Sequence, residues 1–324
     1  MTALTRSTTG PTRTPAQRRG AGGSGQHKRS RRRAKELAWV AVFLAPALLT
    51  IITLRIAPTV SAAVDSLYRG FPGGVQPADF SGLTNYATLF SNDMFRDTVV
   101  RTLVFNVIIN PLQVALALAV AVLVTRRIAA PALWRTLIFI PATVPVVGSS
   151  IVWGIGLRPN GPINAIIDAL GGNRQPFLTS PAQAMASIMV VISWIGIGYW
   201  MLFLISGLQA IPEEYMEAAK LDRAGPIRTF FSITLPLLKR PLLFVLVACT
   251  VANFVLFVPI QMLTNGGPEN STTMLMFNAY RTTFTYSSKN LGAAEVMILT
   301  VLMLVFVALQ FRLLREDRPA RSKR

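Results

Sequence analysis

The chain has 324 residues, of which 52% are hydrophobic, and its mean hydropathy of +0.48 excludes an ordinary soluble domain and indicates a polytopic membrane protein. It carries 32 basic and 14 acidic residues, for a net charge of +18, but the basic residues cluster in the tails and at the ends of apolar runs, which argues against a nucleic-acid partner. A single cysteine, Cys249, excludes an intramolecular disulfide and a cysteine zinc site.

The order of composition along the chain predicts a basic tail, a membrane domain and a short second tail. Residues 1–35 are rich in Arg, Thr, Gly and Ser and contain no acidic residue, so 1–36 is predicted to be a disordered cytosolic tail. A cleaved signal is the alternative, but the apolar run behind the tail is longer than a signal core of about 7–15 residues. The membrane domain is predicted at 37–315 and the second cytosolic tail at 316–324.

Six apolar runs of about 20 residues are each long enough to cross a bilayer. They lie at about 37–57, 103–124, 137–157, 184–208, 242–263 and 292–311. Pro111, Pro141 and Pro145 fall within the second and third runs and predict kinked or locally unwound helices, which either line a pathway or serve simple packing.

The distribution of Lys and Arg predicts the orientation. With the N-terminus in the cytosol, 24 of the 32 basic residues fall in inner segments. The sequence therefore predicts a multi-pass plasma-membrane protein with both termini and the stretch 209–241 in the cytoplasm.

The stretch 209–241 is the longest amphipathic segment between two apolar runs. Pro212 and Pro226 each suit the first position of a short helix, and Gly225 precedes the second one. Glu213 lies in the first turn of the first helix, near the positive end of its dipole. Large apolar side chains on the second helix indicate a docking element, with a helix lying on lipid headgroups as the alternative.

The spacing of seven residues in this stretch resembles the EAA motif: Glu217, Ala218, Ala219, Asp222, Ile233, Leu235 and Pro236. That motif marks permease subunits of bacterial ABC importers. The resemblance implies an all-α, six-transmembrane-helix type I importer permease fold with cytosolic EAA coupling helices. It also implies that the first helix sits in a groove of a separate ATPase, with Glu217 as the main anchor.

By this resemblance, six residues are assigned to ATPase coupling: Glu213, Glu217, Ala218, Ala219, Asp222 and Gly225. The family usually has glycine directly after the aspartate. Here Arg223 takes that place and a glycine follows at Gly225, which leaves the shape of the turn open.

Three segments predicted outside the membrane are similar to carbohydrate-type importer permeases, specifically the maltose-type first permease subunit. They are GLTNYATLFSNDMF at 82–95, NGPINAIIDALG at 160–171 and LTNGGPENST at 263–272. The third is the most specific, and its Gly266-Gly267-Pro268 predicts a tight turn. Trp153 and Trp194, in the third and fourth apolar runs, fit the same family. The resemblance as a whole covers about residues 37–315.

A sugar path requires polar and aromatic side chains inside the apolar bundle. The candidates are Asn106, Asn110, Gln113, Ser193, Tyr199, Asn253 and Gln261, with Phe254 and Phe257 as stacking faces. In maltose-type permeases the spans flanking the EAA loop carry the sugar contacts, so the resemblance narrows the choice to Gly196, Tyr199 and Asn253. Each has a packing alternative: an interhelical hydrogen bond for Tyr199 and Asn253, and a close-packing notch for Gly196.

The energy for transport is expected from another chain. No segment matches the P-loop GxxxxGK[ST], and Glu295 is the one acidic residue within a predicted span. A self-powered secondary transporter or channel would need inward-facing ionisable groups, and a membrane enzyme would need a catalytic constellation. No catalytic residue, metal or cofactor is expected.

The resemblance implies import of a sugar or polyol through a heterodimer with a second permease subunit, with a homodimer as the alternative. Two ATP-binding cassette subunits and an extracytoplasmic solute-binding protein complete the implied complex. No basic residue falls at mid-depth of a predicted span, which favours a neutral solute, although a glycerol phosphate stays open.

Overall fold

The computed structural model describes residues 39–70, 78–125 and 129–313, so the predicted tails 1–36 and 316–324 lie outside the described residues. The chain divides into two units, Met1–Val60 and Ser61–Arg324. The described part of the first unit is helical, and the described part of the second unit consists of helices, their connecting turns and one two-stranded sheet. The predicted all-α class is confirmed.

The helices follow one another along the chain with short connections. They are α1 (Trp39–Asp65), α2 (Thr84–Ser91), α3 (Asp93–Thr125), α4 (Pro131–Thr143), α5 (Val146–Gly156), α6 (Pro162–Ala169), α7 (Pro181–Gln209), α8 (Glu213–Leu221), α9 (Pro226–Leu237), α10 (Lys239–Phe254), α11 (Val258–Leu263), α12 (Leu275–Tyr280) and α13 (Lys289–Leu313). Strands β1 (Tyr68–Arg69) and β2 (Asp79–Phe80) pair antiparallel.

Four of the described helices, α1, α3, α7 and α13, are long and apolar enough to cross a membrane. Two further pairs are bent, α4 with α5 by 93° and α9 with α10 by 70°. If each bent pair is one span, the described residues hold up to six spans.

The prolines of the second and third runs behave differently. Val144 and Pro145 are extended and separate α4 from α5, because a residue before proline is disfavoured in the helical conformation. At Pro111 the helix is not unwound, since α3 continues through it without interruption, and the alternative of a kink there stays a prediction. Buried neighbours such as Ile109 pack that part of α3 into the core.

The apolar run 242–263, predicted as one span, forms two helices. α10 ends at Phe254, and α11 begins only at Val258, after Phe257 with φ −130° and ψ −57°. The physical reason is Pro259, whose ring would clash with the carbonyl of Val255 if the helix continued. Hydropathy does not reveal such a break, because the run stays apolar throughout.

The core of the second unit lies where α3, α7 and α10 meet. Its buried side chains include Ala117 and Ala121 of α3, Met201 and Leu204 of α7, and Val245 of α10. Small residues allow close approach, which is clearest at Gly198, where an added Cβ would overlap the carbonyl oxygen of Ile138 in α4. This junction holds the polar groups described below.

Candidate functional site

Helix α8 has one exposed face and one face that is buried against the rest of the protein. The predicted coupling residues other than Ala219 are exposed: Glu213, Glu217, Ala218, Asp222 and Gly225. Ala219 is 4% exposed and holds the inner side of the helix. Among the ion pairs of the described residues, none involves the acidic groups of α8 or Asp222, so these carboxylates are available to a partner.

The turn after α8 closes in a regular way. The amide of Ala224 donates to the carbonyl of Ala219 at 2.9 Å, and the amide of Arg223 to that of Lys220 at 3.0 Å. Arg223 has φ +52°, the left-handed conformation that glycine usually supplies at a helix C-terminus. The sequence left the shape of this turn open. The structure has the left-handed conformation typical of glycine, with Arg223 in its place.

Gly225 does not replace the missing glycine. Its φ is −66°, and no heavy atom lies within 4 Å of an added Cβ. Any small side chain would fit there, so the conformation of the turn does not require glycine at this position.

Helix α9 adds an apolar surface beside α8. Ile227 is 75% exposed and Phe231 62% exposed, while Phe230 packs partly against the core. A groove of about 380 Å³ separates α9 from the C-terminal part of α3 at Ala119 and Val122. The stretch therefore combines exposed carboxylates on α8 with exposed apolar side chains on α9.

The polar candidates of the membrane domain meet in one buried cluster between α3, α7 and α10. We call it the amide cluster, and it comprises Asn106, Asn110, Gln113, Ser193, Cys249 and Asn253. Asn253 Nδ2 donates to Asn110 Oδ1 at 2.7 Å and to Gln113 Oε1 at 3.1 Å. Gln113 Nε2 lies 3.5 Å from Ser193 Oγ, which brings α7 into the network.

The cluster extends along α3 toward the N-terminal end of that helix. Asn110 Nδ2 donates to Asn106 Oδ1 at 3.2 Å, and Asn106 Nδ2 donates to the carbonyl of Thr102 at 2.8 Å. Thr102 Oγ1 in turn accepts the amide of Leu275 at 2.9 Å. These side chains recur at intervals of three or four residues, so they form a buried polar stripe on one face of the helix.

The three residues singled out for substrate contact occupy different places. Asn253 is at the centre of the amide cluster, and an added Cβ at Gly196 would lie 3.6 Å from Gln113 Nε2. Tyr199 is not joined to the cluster. Its ring is 45% exposed and packs edge-on against Trp200 at 4.9 Å and Phe203 at 5.1 Å.

The other sequence candidates lie outside the cluster. Gln261 lines a separate cavity of about 710 Å³ between α5 and the segment 261–268. Phe254 packs on Phe306 of α13 at 5.2 Å, and Phe257 on Tyr280 at 4.6 Å. These aromatic side chains therefore contribute to the packing of their own helices.

The segment 263–273 is held by hydrogen bonds between its own residues. The hydroxyls of Thr264 and Thr272 lie 2.7 Å apart, and Thr272 donates to the carbonyl of Gly267 at 2.9 Å. Thr273 donates to the carbonyl of Gly266 at 3.0 Å. The sequence pattern is thus explained by a tight turn whose hydroxyls satisfy its carbonyls. The other two segments that are similar to importer permeases differ, since 82–95 carries α2 and 160–171 carries α6.

Sequence reasoning missed two polar contacts in the membrane domain. Cys249, which was not among the polar candidates of the sequence, donates its S–H to Gln113 Oε1 at 3.0 Å. Its spacing of four residues from Asn253 puts both on one helix face and was the available signal. Glu295 is buried and accepts hydrogen bonds from Thr282 at 2.7 Å and Asn278 at 2.8 Å, a pairing without a sequence signal.

Comparison with known proteins gives a family match over most of the membrane domain. Residues 113–316 match the family described as binding-protein-dependent transport system inner membrane component. The sn-glycerol-3-phosphate transport system permease protein UgpA of Pectobacterium atrosepticum is 33% identical over 84% of this chain and 92% of its own length. The lactose transport system permease protein LacF of Rhizobium radiobacter is 32% identical over 86% of this chain and 94% of its own.

A further relative and a solved structure are also parts of ABC transport systems. The maltose/maltodextrin transport system permease protein MalF of Salmonella typhimurium is 33% identical over 69% of this chain but only 46% of its own length. A chain in the crystal structure of a bacterial alginate ABC transporter has the same fold, with a TM-score of 0.73 over 88% of this chain and 96% of that chain at 18% identity.

Family membership fixes where the energy comes from. Permease subunits of ABC importers are not enzymes, and the ATPase is a separate subunit, so the alternatives of a self-powered carrier and a membrane enzyme fall away. The chain belongs to the family of binding-protein-dependent transport system inner membrane components, as an integral membrane permease subunit of an ABC importer.

Proposed function

We propose that this permease carries a neutral carbohydrate, a sugar or related polyol, into the cytoplasm. The observation that carries the proposal is the amide cluster, because amide, hydroxyl and thiol groups are suited to hydroxyl groups of a solute and offer no fixed charge. The names of LacF and MalF, permeases for lactose and maltodextrin, support the same solute class.

In the proposed path, Asn253 exchanges its bonds to Asn110 and Gln113 for bonds to the solute. Gly196 lies beside Gln113 and Trp200, since an added Cβ would lie 3.6 Å from Gln113 Nε2 and 3.3 Å from Trp200 Nε1, which leaves space for solute at that point. Tyr199 would offer an exposed ring to the apolar face of a sugar, away from the amide cluster. The path then lies partly in this chain and partly against the neighbouring permease.

A phosphorylated solute is the second candidate, and the similarity to UgpA favours it. A phosphate group would call for Arg or Lys as its donor. The amide cluster instead consists of uncharged groups, which supports the neutral class over a phosphate ester.

We propose that α8 docks into the ATPase and acts as a lever. Glu217 and Glu213 would pair with basic groups of the ATPase, with Ala218, Asp222 and Gly225 at the contact and Ala219 as the inner anchor. Exposed, unpaired carboxylates on a surface helix support this role, since a charged pair formed across an interface positions the partner.

The proposed complex contains a second permease subunit as a heterodimeric partner, two ATP-binding cassette subunits and an extracytoplasmic solute-binding protein. The alginate transporter structure, which includes a periplasmic protein, supports the solute-binding partner by analogy of fold. Both termini and the stretch 209–241 would lie in the cytoplasm, and the segments 82–95, 160–171 and 263–272 would face the binding protein.

Affinity purification from native membranes in mild detergent tests the proposal. We expect mass spectrometry to identify a second permease, an ATP-binding cassette protein and a solute-binding protein with the tagged chain. Thermal-shift screening of that binding protein should give stabilisation by sugars or polyols. Recovery of the chain without an ATPase, or a binding protein stabilised only by phosphate esters, would contradict it.

A further inference from the structure

Glu295 is a buried carboxylate to which the proposed solute path assigns no role. It lies on α13, is 1% exposed, and accepts hydrogen bonds on both oxygens, from Thr282 at 2.7 Å and from Asn278 at 2.8 Å. No ion pair within the described part of the chain includes Glu295. Ionisable groups within membrane spans are costly and typically mark a functional role. We call these three residues the Glu295 group.

The Glu295 group holds the C-terminal side of α12 on α13. Its two donors lie in α12 and in the π-helical turn Arg281–Thr285 that follows it. Gly292, three residues before Glu295, lies on the same face of α13. An added Cβ at Gly292 would overlap Thr283 Oγ1 and would lie 3.2 Å from the carbonyl oxygen of Ala279. Hydrogen bonds and close backbone packing therefore join α12 and its turn to α13.

The N-terminal end of α12 is held by α3. The amide of Leu275, the first residue of α12, donates to Thr102 Oγ1 at 2.9 Å. The first amides of a helix have no partner within the helix, and Met274, which precedes α12, makes no side-chain cap. The Thr102 hydroxyl is buried and donates its own proton to the carbonyl of Thr98 at 2.8 Å, which leaves its lone pairs to Leu275. Helix α3 therefore supplies the cap of α12.

Thr102 also connects α12 to the amide cluster. Its carbonyl accepts Asn106 Nδ2 at 2.8 Å, and Asn106 Oδ1 accepts Asn110 Nδ2 at 3.2 Å. Asn110 Oδ1 in turn accepts Asn253 Nδ2 at 2.7 Å. Helix α12 has six residues, so a displacement at one of its ends reaches the other. A continuous series of contacts therefore leads from Glu295 through α12 and Thr102 to the amide cluster.

We propose that Glu295 is a positioning residue for the amide cluster. It holds α12 on α13 and, through the bond between Leu275 and Thr102, keeps the polar stripe of α3 aligned with α10. Loss of its two hydrogen bonds would release α12 from α13 and loosen Thr102, so the bonds between Asn253 and α3 would open more often. A carboxylate that serves local packing alone would change stability without changing the cluster. The consequence for solute binding rests on the proposed function, whereas the link itself is tested without solute.

The thiol of Cys249 provides the measurement. It is the one cysteine of the chain, it is fully buried, and it lies in the amide cluster. The tagged full-length chain is purified with the subunits that accompany it and is incubated with N-ethylmaleimide below the thermal midpoint. Mass spectrometry of this chain gives the rate of adduct formation. A buried thiol reacts when its surroundings open, so the rate reports how often the cluster opens.

The variants separate a transmitted effect from a local one. Glu295→Ala removes both acceptors and should raise the labelling rate about tenfold. Thr102→Val removes the hydroxyl at nearly the same shape and should raise it by a similar factor. If one series of contacts carries both effects, the double variant should label no faster than the faster single variant. Glu295→Gln should label within about twofold of the unaltered protein, since its amide oxygen accepts one bond and Asn278 can turn its own oxygen toward the amide nitrogen.

Asn290→Ala is the matched control. Asn290 also lies on α13 and donates a hydrogen bond of 2.9 Å, to the carbonyl of Asp65, but it stands outside this series of contacts. Its labelling rate should equal that of the unaltered protein. The thermal midpoint is measured for every variant, and a lower midpoint with unchanged labelling in Glu295→Ala would assign Glu295 to local packing.

The proposal is also overturned by an equal rise in Asn290→Ala or by effects that multiply in the double variant. If Glu295→Ala fails to fold, Thr102→Val and Thr282→Ala, which removes one donor to the carboxylate, decide the question in its place. Sugar delivered by the solute-binding protein should slow labelling of the unaltered complex. Absence of that protection would count against the proposed solute path, while the link from Glu295 is judged by the variants without sugar.

Discussion

Gly266 occupies a backbone conformation that other residues adopt only with strain. Its φ is +84°, and an added Cβ would lie 2.6 Å from Phe277 Cε1 and 2.7 Å from Thr273 Oγ1. Both neighbours are buried and cannot move aside. We therefore expect Gly266→Ala to lower the free energy of unfolding by about 1–3 kcal/mol, measured as a lower thermal midpoint in detergent.

Gly225→Ala is the matched control for that prediction. Its φ of −66° suits alanine, and an added Cβ meets no heavy atom within 4 Å. Its thermal midpoint should therefore stay close to that of the unaltered protein. Equal losses in the two variants would contradict the role given to Gly266.

Arg223 offers a prediction of the opposite sign. Because a non-glycine residue at φ +52° is strained, Arg223→Gly should stabilise the end of α8 by up to about 1 kcal/mol. Hydrogen exchange of the amides of Asp222 and Ala224 should slow down. Arg228→Gly, within α9, should instead destabilise its helix by about 1 kcal/mol. Faster exchange in Arg223→Gly would argue against a strained turn.

The occurrence of polar residue types in apolar runs predicted most members of the amide cluster, but it did not predict which polar side chains face the core. Asn110, Gln113, Ser193 and Asn253 stood out as polar groups in apolar runs, and the structure joins them. Tyr199 was chosen for the same reason, yet it is exposed and apart from them. Whether a polar residue faces the core depends on the rotation of its helix about the helix axis. That rotation is set by packing against neighbouring helices and cannot be read from the sequence of one helix.

At the scale of elements, α8 is the one described helix with exposed carboxylates that make no ion pair, and it lies on the predicted docking face. We expect Glu217→Lys to insert into the membrane as before but to lose the ATPase in affinity purification and to abolish uptake. Reversal of a charge that faces a complementary partner replaces attraction by repulsion, so retention of the ATPase should fall at least about tenfold.

Asp93→Lys is the control for the charge change. It alters the net charge by the same amount at the N-terminal end of α3, far along that helix from the groove beside α9. Its ATPase retention should be normal. Normal retention and uptake in Glu217→Lys would remove this residue from the coupling contact.

Element boundaries were predictable where turn chemistry marks them and hidden where it does not. The two helices of the stretch 209–241 follow from Pro212, Gly225 and Pro226, and the structure has them as α8 and α9. The break at Phe257 lies inside an unbroken apolar run, so a hydropathy reading merges α10 and α11. Only Pro259 signals it, and Pro111 shows that proline alone does not break every helix.

For the molecule as a whole, helix α10 connects the proposed coupling surface of α8 and α9 to the amide cluster. Helix α9 ends beside the buried Leu238, and α10 starts at the next residue and carries Cys249 and Asn253. A displacement of α8 and α9 by the ATPase would therefore be transmitted along α10 to the bonds between Asn253 and α3. Those bonds close the cluster here, and their exchange for solute hydroxyls would accompany opening.

Asn253→Ala tests this link in the assembled complex. The substitution removes the donor shared by Asn110 Oδ1 and Gln113 Oε1, so recognition of solute hydroxyls should weaken while the docking surface stays intact. We expect all subunits to co-purify and the solute-stimulated part of ATPase activity to fall roughly tenfold.

Gln310→Ala is the control for this prediction. It removes a hydrogen bond of 2.7 Å from Gln310 to Thr250, which lies on α10 as Asn253 does but outside the amide cluster. It should keep its solute response. An unchanged response in Asn253→Ala would take Asn253 out of the path, whereas loss of the ATPase from that variant would mean that the cluster holds the coupling end in place.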